Sequence, residues 1–280
     1  MQYYLIMNPG SRGGASKKKF ELIHSLFKNA DFSYTKTLYD AYEFSKKANN
    51  EGYDAIIAVG GDGTINRVVN GFYNEDGKLI SNAKFGVIYT GTSPDFCNTY
   101  NIPLDAEKAI RVISNGNVKM IDVGLIKMGG VSRCFVCCAN IGLGAVLANN
   151  ANRGVRKIWG DTLGTFIALI KTLCAYKPIE VEINGKKMNC LYNLSIGKTY
   201  YVASGLKIAH EIKGNDFYIL PICNKILSSI IKLYRGKPLD VSYAEKIEIK
   251  GKGRIEFDGD EGGKLPCTIT NAERLCVFCE

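Results

Sequence analysis

The chain has 280 residues, 46% hydrophobic and 22% charged, which is apolar enough for a sizeable core and too lightly charged for a disordered chain. A formal net charge of +9 favours anionic partners (nucleotides, nucleic acid or an anionic membrane face) without selecting among them. The start, Met1 to Met7, lacks the basic segment and apolar run of a secretory signal, so the ten cysteines suggest reduced thiols in a cytoplasm.

The apolar run 3–7 predicts a strand, and Asn8-Pro9-Gly10-Ser11 opens a loop. Phe20, Ile23, Leu26 and Phe27 recur at helical spacing, which predicts a helix over 17–27. A second strand is expected over 32–38. A helix follows over 40–50, with Ala41, Phe44 and Ala48 on one face. Residues 55–59 form a continuous apolar strand of the kind buried on both sides in a parallel sheet. Gly60-Gly61-Asp62-Gly63-Thr64 comes next, then a helix carrying Ile65, Val68, Val69 and Phe72. One more apolar strand, 85–89, ends in Gly91-Thr92-Ser93-Pro94-Asp95. This alternation predicts a doubly wound parallel α/β sheet.

After about Asp122 the texture changes. Strands are expected over 131–139, 179–183, 191–196, 217–222, 246–250, 254–257 and 267–270, with helical stretches over 158–176 and 226–234. Closely spaced strands predict a mainly antiparallel sandwich or barrel. The expected division is an α/β domain over 1–123 and a β-rich domain over 124–280, whose last residues are candidates to return to the first domain.

Asp161 and Lys171 interrupt the 158–176 stretch, and it is short for a bilayer, which takes about 20 residues; it reads as a buried or interfacial helix. Arg153, Arg156, Lys157 and Trp159 before and within it suit a membrane-surface element, and equally an ordinary solvated helix start. Cys134/Cys137 and Cys276/Cys279 have the spacing of zinc ligands. Both pairs lie in strand-like runs without Gly or Pro between them, so their side chains are expected on opposite faces, unable to share one ion. His24 and His210 have no catalytic constellation around them.

The glycine loop carries the chemistry. Glycines let the backbone approach a phosphate closely, and free N–H groups at the start of the following helix point at the anion. Asp62 would repel a phosphate unless it served a metal, and magnesium bridged to Asp62 satisfies that condition. The alternative is a tight turn with Asp62 as a helix cap. Asn8-Pro9-Gly10-Ser11 and the Gly91–Asp95 loop also follow strands, so all these loops can converge at the carboxyl ends of the sheet, where ligands of open α/β folds sit.

These residues together resemble the diacylglycerol kinase catalytic family, in its bacterial lipid kinase branch, to which sphingosine and ceramide kinases are related. Asn8, Pro9, Gly10 and Ser11 match its opening motif, and Thr35 matches a threonine at the end of its second strand. Gly60, Gly61, Asp62, Gly63, Thr64 and Asn66 meet its central motif, and Gly91, Thr92, Asp95 and Phe96 meet the next one. Asp258-Gly259-Asp260 stands where the family has Asp-Gly-Glu.

The resemblance implies ATP and magnesium in a cleft between the domains, a lipid alcohol as acceptor, Asp260 as general base and Asp62 at the metal, with Asp216 as a second metal candidate. It further implies a cytoplasmic protein in peripheral contact with an anionic membrane surface, with no nucleic-acid partner and with homodimerisation open. Arg67, Ser93-Pro94 and the shorter Asp260, with Glu261 beside it, depart from the family pattern. The other readings are a kinase of a soluble substrate, similar to NAD kinases, and a nucleotide- or lipid-binding regulator without turnover.

Overall fold

The computed structural model describes residues 1–11, 17–150, 176–202, 206–208, 214–223, 228, 229, 232, 235, 239–258 and 260–280. Arg153, Arg156, Lys157, Trp159 and His210 lie outside these residues, as do most positions of the helices expected over 158–176 and 226–234.

The first unit runs β1 (Tyr3–Met7), α1 (Lys17–Leu26), β2 (Asp31–Tyr34), α2 (Leu38–Glu51), β3 (Ala55–Gly60), α3 (Asp62–Asn70), β4 (Lys84–Tyr89), α4 (Asp95–Tyr100), α5 (Ala106–Asn115) and β5 (Val118–Ile121). The chain continues with β6 (Gly124–Met128), β7 (Val131–Phe135), β8 (Cys138–Gly142), α6 (Leu143–Asn150), β9 (Ile179–Ile183), β10 (Lys186–Leu191) and β11 (Asn193–Gly197). It ends with β12 (Tyr201–Val202), β13 (Leu206–Lys207), β14 (Phe217–Ile222), β15 (Ser242–Ala244), β16 (Ile247–Gly251), β17 (Arg254–Phe257), β18 (Asp260–Lys264), β19 (Cys267–Asn271) and β20 (Leu275–Phe278).

The first sheet has the order β2-β1-β3-β4-β20-β5. Its strands are parallel except for β5, which runs against β20. β3 explains the sheet's position. Every residue of it is buried, with Ile56 and Ala58 packing into the cluster beneath α2 and α3, and Ile57 and Val59 into the cluster beneath α1 and α5. A strand apolar on both faces must be covered on both.

Local signals set the helix ends. At α2, Asp40 N–H donates to Thr37 Oγ1 (3.3 Å) and Thr37 N–H to Asp40 Oδ2 (2.9 Å), a reciprocal cap. That cap corrects the strand expected over 32–38, because β2 stops at Tyr34 and the helix begins at Leu38.

Most of the rest is a sandwich of two antiparallel sheets, ordered β10-β9-β16-β19-β6-β7 and β15-β14-β11-β8-β17-β18, with β12 and β13 pairing separately. Ile126, Val181, Ile249 and Ile269 from one sheet meet Ile141, Leu194, Ile219 and Ile255 from the other in a continuous apolar core.

The single strand expected over 131–139 is two strands. β7 belongs to the first sandwich sheet and β8 to the second, so the chain switches sheets at Val136-Cys137. No glycine or proline makes this corner. The Asp258 carboxylate makes it, accepting hydrogen bonds from the N–H groups of Val136 (2.7 Å), Cys137 (2.8 Å) and Cys138 (3.0 Å). Cys134 and Cys137 therefore do not share a strand, contrary to the sequence expectation.

Candidate active site

Connections leaving β1 and β3 run in opposite directions along the sheet, over opposite faces. α1 packs in the cluster beneath one face and α3 beneath the other. The crevice at such a reversal opens at the carboxyl ends of the strands. The loop after β1 and the loop after β3 meet there. Asn8 Nδ2 donates to Thr64 Oγ1 (2.8 Å), Gly10 N–H returns to Asn8 Oδ1 (3.0 Å), and Ser11 Oγ donates to the Thr90 carbonyl (2.7 Å).

The glycines are required by contact. A Cβ on Gly60 would lie 2.4 Å from Thr64 Oγ1, and one on Gly91 would lie 2.6 Å from Gly61 Cα. The third loop is thus pressed against the second. Gly61, at the N-cap of α3, offers no side chain to the first turn, and α3 receives no side-chain cap hydrogen bond.

Asp62 opens α3. Its Oδ2 accepts from the Tyr89 hydroxyl (3.0 Å), while its Oδ1 is buried with no hydrogen-bond partner among the described residues. Burial pushes its carboxyl up to about 7, and the negative charges of Asp95 and Asp258 push the same way against the Tyr89 hydrogen bond. Asp95, also buried, opens α4.

One turn along α3 from Asp62, Asn66 and Asn70 bind the sandwich. Asn66 Nδ2 donates to Asp258 Oδ2 (2.8 Å) and to the Cys134 carbonyl (3.1 Å). Asn70 takes both backbone groups of Cys134: its Nδ2 donates to the carbonyl (2.9 Å) and its Oδ1 accepts the N–H (2.8 Å). Asp258 is buried and has φ 51°, in the left-handed region. It directly follows β17, whose Phe257 pairs with Asp260 at the start of β18. Burial pushes the Asp258 carboxyl up, opposed by its four donors. Helix α3, the sheet-switching corner and Asp258 are thereby one hydrogen-bonded unit.

The structure brings Asn8, Gly10, Ser11, Gly60, Gly61, Asp62, Gly63, Thr64, Asn66 and Asp95 to this crevice or its lining. Thr92 is exposed on the outer part of the third loop. Thr35 is buried at the end of β2, its N–H bonded to the Met7 carbonyl (2.9 Å). Asp260 pairs with Phe257 and Glu261 with Glu256 in the hairpin; the side chains of both acids lie outside the described part of the structure.

Asp216 stands before β14, within electrostatic reach of Lys198 rather than in the trio of acids around Asp62. Lys198 donates to the Asn215 carbonyl (2.7 Å) and lies over the Phe217 ring, 4.2 Å from its centre. Burial pulls its ammonium down to about 8, against Asp122, Asp216 and Glu245.

Sequence reasoning missed Tyr89, Asn70, Asp258 and Lys198. Asn70, four residues after Asn66 and so on the same helix face, and the Asp258-Gly259 turn signal were legible; Tyr89 and Lys198 left no local mark.

Among the described residues, no three His, Cys, Asp or Glu side chains are grouped to hold a metal unaided, and no helix is long and apolar enough to cross a membrane.

Residues 2–126 match the diacylglycerol kinase catalytic domain family. The chain is 32% identical to a diacylglycerol kinase of Staphylococcus aureus (strain bovine RF122 / ET3-1), over 96% of this chain and 89% of that one. Its fold is similar to the crystal structure of a diacylglycerol kinase from Bacillus anthracis, with TM-score 0.72 and 18% identity over 100% of this chain and 97% of that one. It is similar, with TM-score 0.52 and 15% identity over 99% of this chain and 93% of that one, to an NAD kinase from Archaeoglobus fulgidus solved in complex with ATP.

Proposed function

The chain belongs to the diacylglycerol kinase family, phosphotransferases with an alcohol acceptor, and we propose that it transfers the γ-phosphate of ATP to the hydroxyl of a lipid such as diacylglycerol. The observation that carries this reading is the meeting of three strand-end loops over an uncapped helix start that presents Asp62.

The N–H groups at the start of α3, with the glycine loop around them, hold the phosphates. Asn8 fixes the loop through Thr64, and Asn66 holds it against the substrate-side sandwich. Asp260 takes the proton from the lipid hydroxyl as its oxygen attacks the γ-phosphorus and ADP departs. Such a base contributes about 10²–10⁴-fold. Most of the rate comes from positioning and charge neutralisation.

Asp62 fits a magnesium ligand, because its Oδ1 is an anionic oxygen left without a partner beside a second buried acid, Asp95. Magnesium, when bound, neutralises charge that develops on the phosphates. Asp216, in the surroundings of the Lys198 ammonium, supports a second metal less well. The basic net charge supports peripheral contact with an anionic membrane surface.

The test is phosphorylation of a panel of mixed micelles containing diacylglycerol, ceramide or sphingosine, alongside soluble NAD. Labelled phosphate on a lipid alcohol is expected. Transfer to NAD alone, or to none of these acceptors, would sink the reading.

A further inference from the structure

Tyr89 stands between two opposite charges. Its hydroxyl holds Asp62 on the α3 face of the sheet, and its carbonyl accepts from Lys19 Nζ (3.4 Å) on the α1 face. Lys19 is half-buried, and that single long hydrogen bond is all it makes among the described residues, with no carboxylate within 4.0 Å. A half-buried ammonium without an acid partner loses hydration and gains little in return.

A second observation points to the same place. Thr90 is 2% exposed and its Oγ1 is buried without a hydrogen-bond partner among the described residues. Along β4, Phe85, Val87 and Tyr89 pack toward α3 and Ile88 toward α1. Strand alternation puts Thr90 on the α1 face, where Lys19 lies. The Thr90 carbonyl is already bound by Ser11 from the first loop. A cation and a hydroxyl, each short of partners, therefore adjoin the carboxyl ends of β1, β3 and β4. The acids lie on the other face, so the crevice is polarised.

We propose that Lys19, assisted by Thr90, binds a phosphate group of the nucleotide from the α1 face, adding a fixed cation to the backbone N–H groups of the glycine loop. The inference rests on the nucleotide reading above. An ammonium is a compact point charge suited to polyphosphate, and a charge-assisted hydrogen bond is about twice as strong as a neutral one. Arg67 and the acids on the α3 face take no part in this contact.

The experiment is calorimetric titration of the full chain with ATP, adenosine and inorganic phosphate, for wild type, Lys19→Met, Lys19→Arg and Thr90→Val. Lys19→Met should weaken ATP about tenfold, the order of one charge-assisted hydrogen bond, and leave adenosine unchanged. Lys19→Arg should recover most of the ATP affinity. Thr90→Val should weaken ATP without lowering the melting temperature of the ligand-free protein, because it deletes a hydroxyl that has no partner among the described residues.

Wild-type affinity for ATP that survives Lys19→Met overturns this inference alone. So does equal weakening of ATP and adenosine, which would mark a structural role, and so does Lys19-dependent binding of inorganic phosphate with ATP unaffected. A wild-type protein that does not bind ATP overturns the nucleotide reading and the inference together.

Discussion

Replacing Asp62 by asparagine should stabilise the ligand-free protein above neutral pH while abolishing turnover. The carboxyl titrates near 7 in the folded chain against an ordinary value of 3.8. The folded state thus keeps a proton that the unfolded chain releases over roughly pH 4 to 7, and stability falls as pH rises through that window. Three units correspond to about 4 kcal/mol above pH 7. Asp62 as a residue keeps some exposure although its Oδ1 does not, which reduces the figure to about 2–3 kcal/mol.

Asparagine keeps an acceptor for Tyr89 but puts an unpartnered amide where Oδ1 lay, which costs about 1 kcal/mol. The net gain is about 1–2 kcal/mol at pH 8, a rise of a few degrees in melting temperature. At pH 5, about a third of the way through that window, less than half of the penalty has developed, so the gain should shrink to near zero. Thermal unfolding of both proteins in EDTA at pH 5, 6.5 and 8 measures this directly. A difference that is the same at all three pH values, or an asparagine variant less stable at pH 8, would refute the burial argument. Full kinase activity in the folded variant would refute the role of the loop.

Asp258→Ala should lower stability by about 3–5 kcal/mol, because two buried N–H groups, the half-buried Cys138 N–H and Asn66 lose their acceptor; denaturant unfolding with a change below about 1 kcal/mol would show the corner is held otherwise. Asp260→Asn should slow turnover by about 10²–10⁴-fold with ATP binding intact, whereas Glu261→Gln should do little; the reverse pattern in steady-state rates moves the base to Glu261. Gly91→Ala should weaken ATP binding sharply, since its Cβ would lie 2.6 Å from Gly61 Cα and 2.5 Å from the Tyr89 hydroxyl, and unchanged affinity by titration would mean the loops part freely. Association with anionic vesicles should weaken as salt rises, exposed charges being screened over about 8 Å at physiological ionic strength; sedimentation equal on neutral and anionic vesicles counts against membrane attraction.

Much of the first unit was legible because its signals are local. The doubly apolar run ending at Gly60, the glycines that follow and the spacing of Ile65, Val68 and Val69 each act within a few residues, where strand and helix periods differ plainly. The loop motifs at Asn8 and Gly91 were readable for the same reason, and the antiparallel character of the second half showed in its short, closely spaced strands.

What only the tertiary structure decided are contacts between distant residues. Asn66 and Asp258 are 192 positions apart, yet their hydrogen bond joins α3 to the sandwich. The corner at Val136-Cys137 depends on the same carboxylate, so the local sequence there reads as one strand and folds as two. Leu275–Phe278 has the pattern of any short strand; the sequence left its return to the first unit as a candidate, and pairing across to β4 and β5 shows where it goes. Periodicity reports which face of an element is apolar; it carries no information about which distant group will satisfy a buried donor or carboxylate, and in this chain those distant groups organise the site.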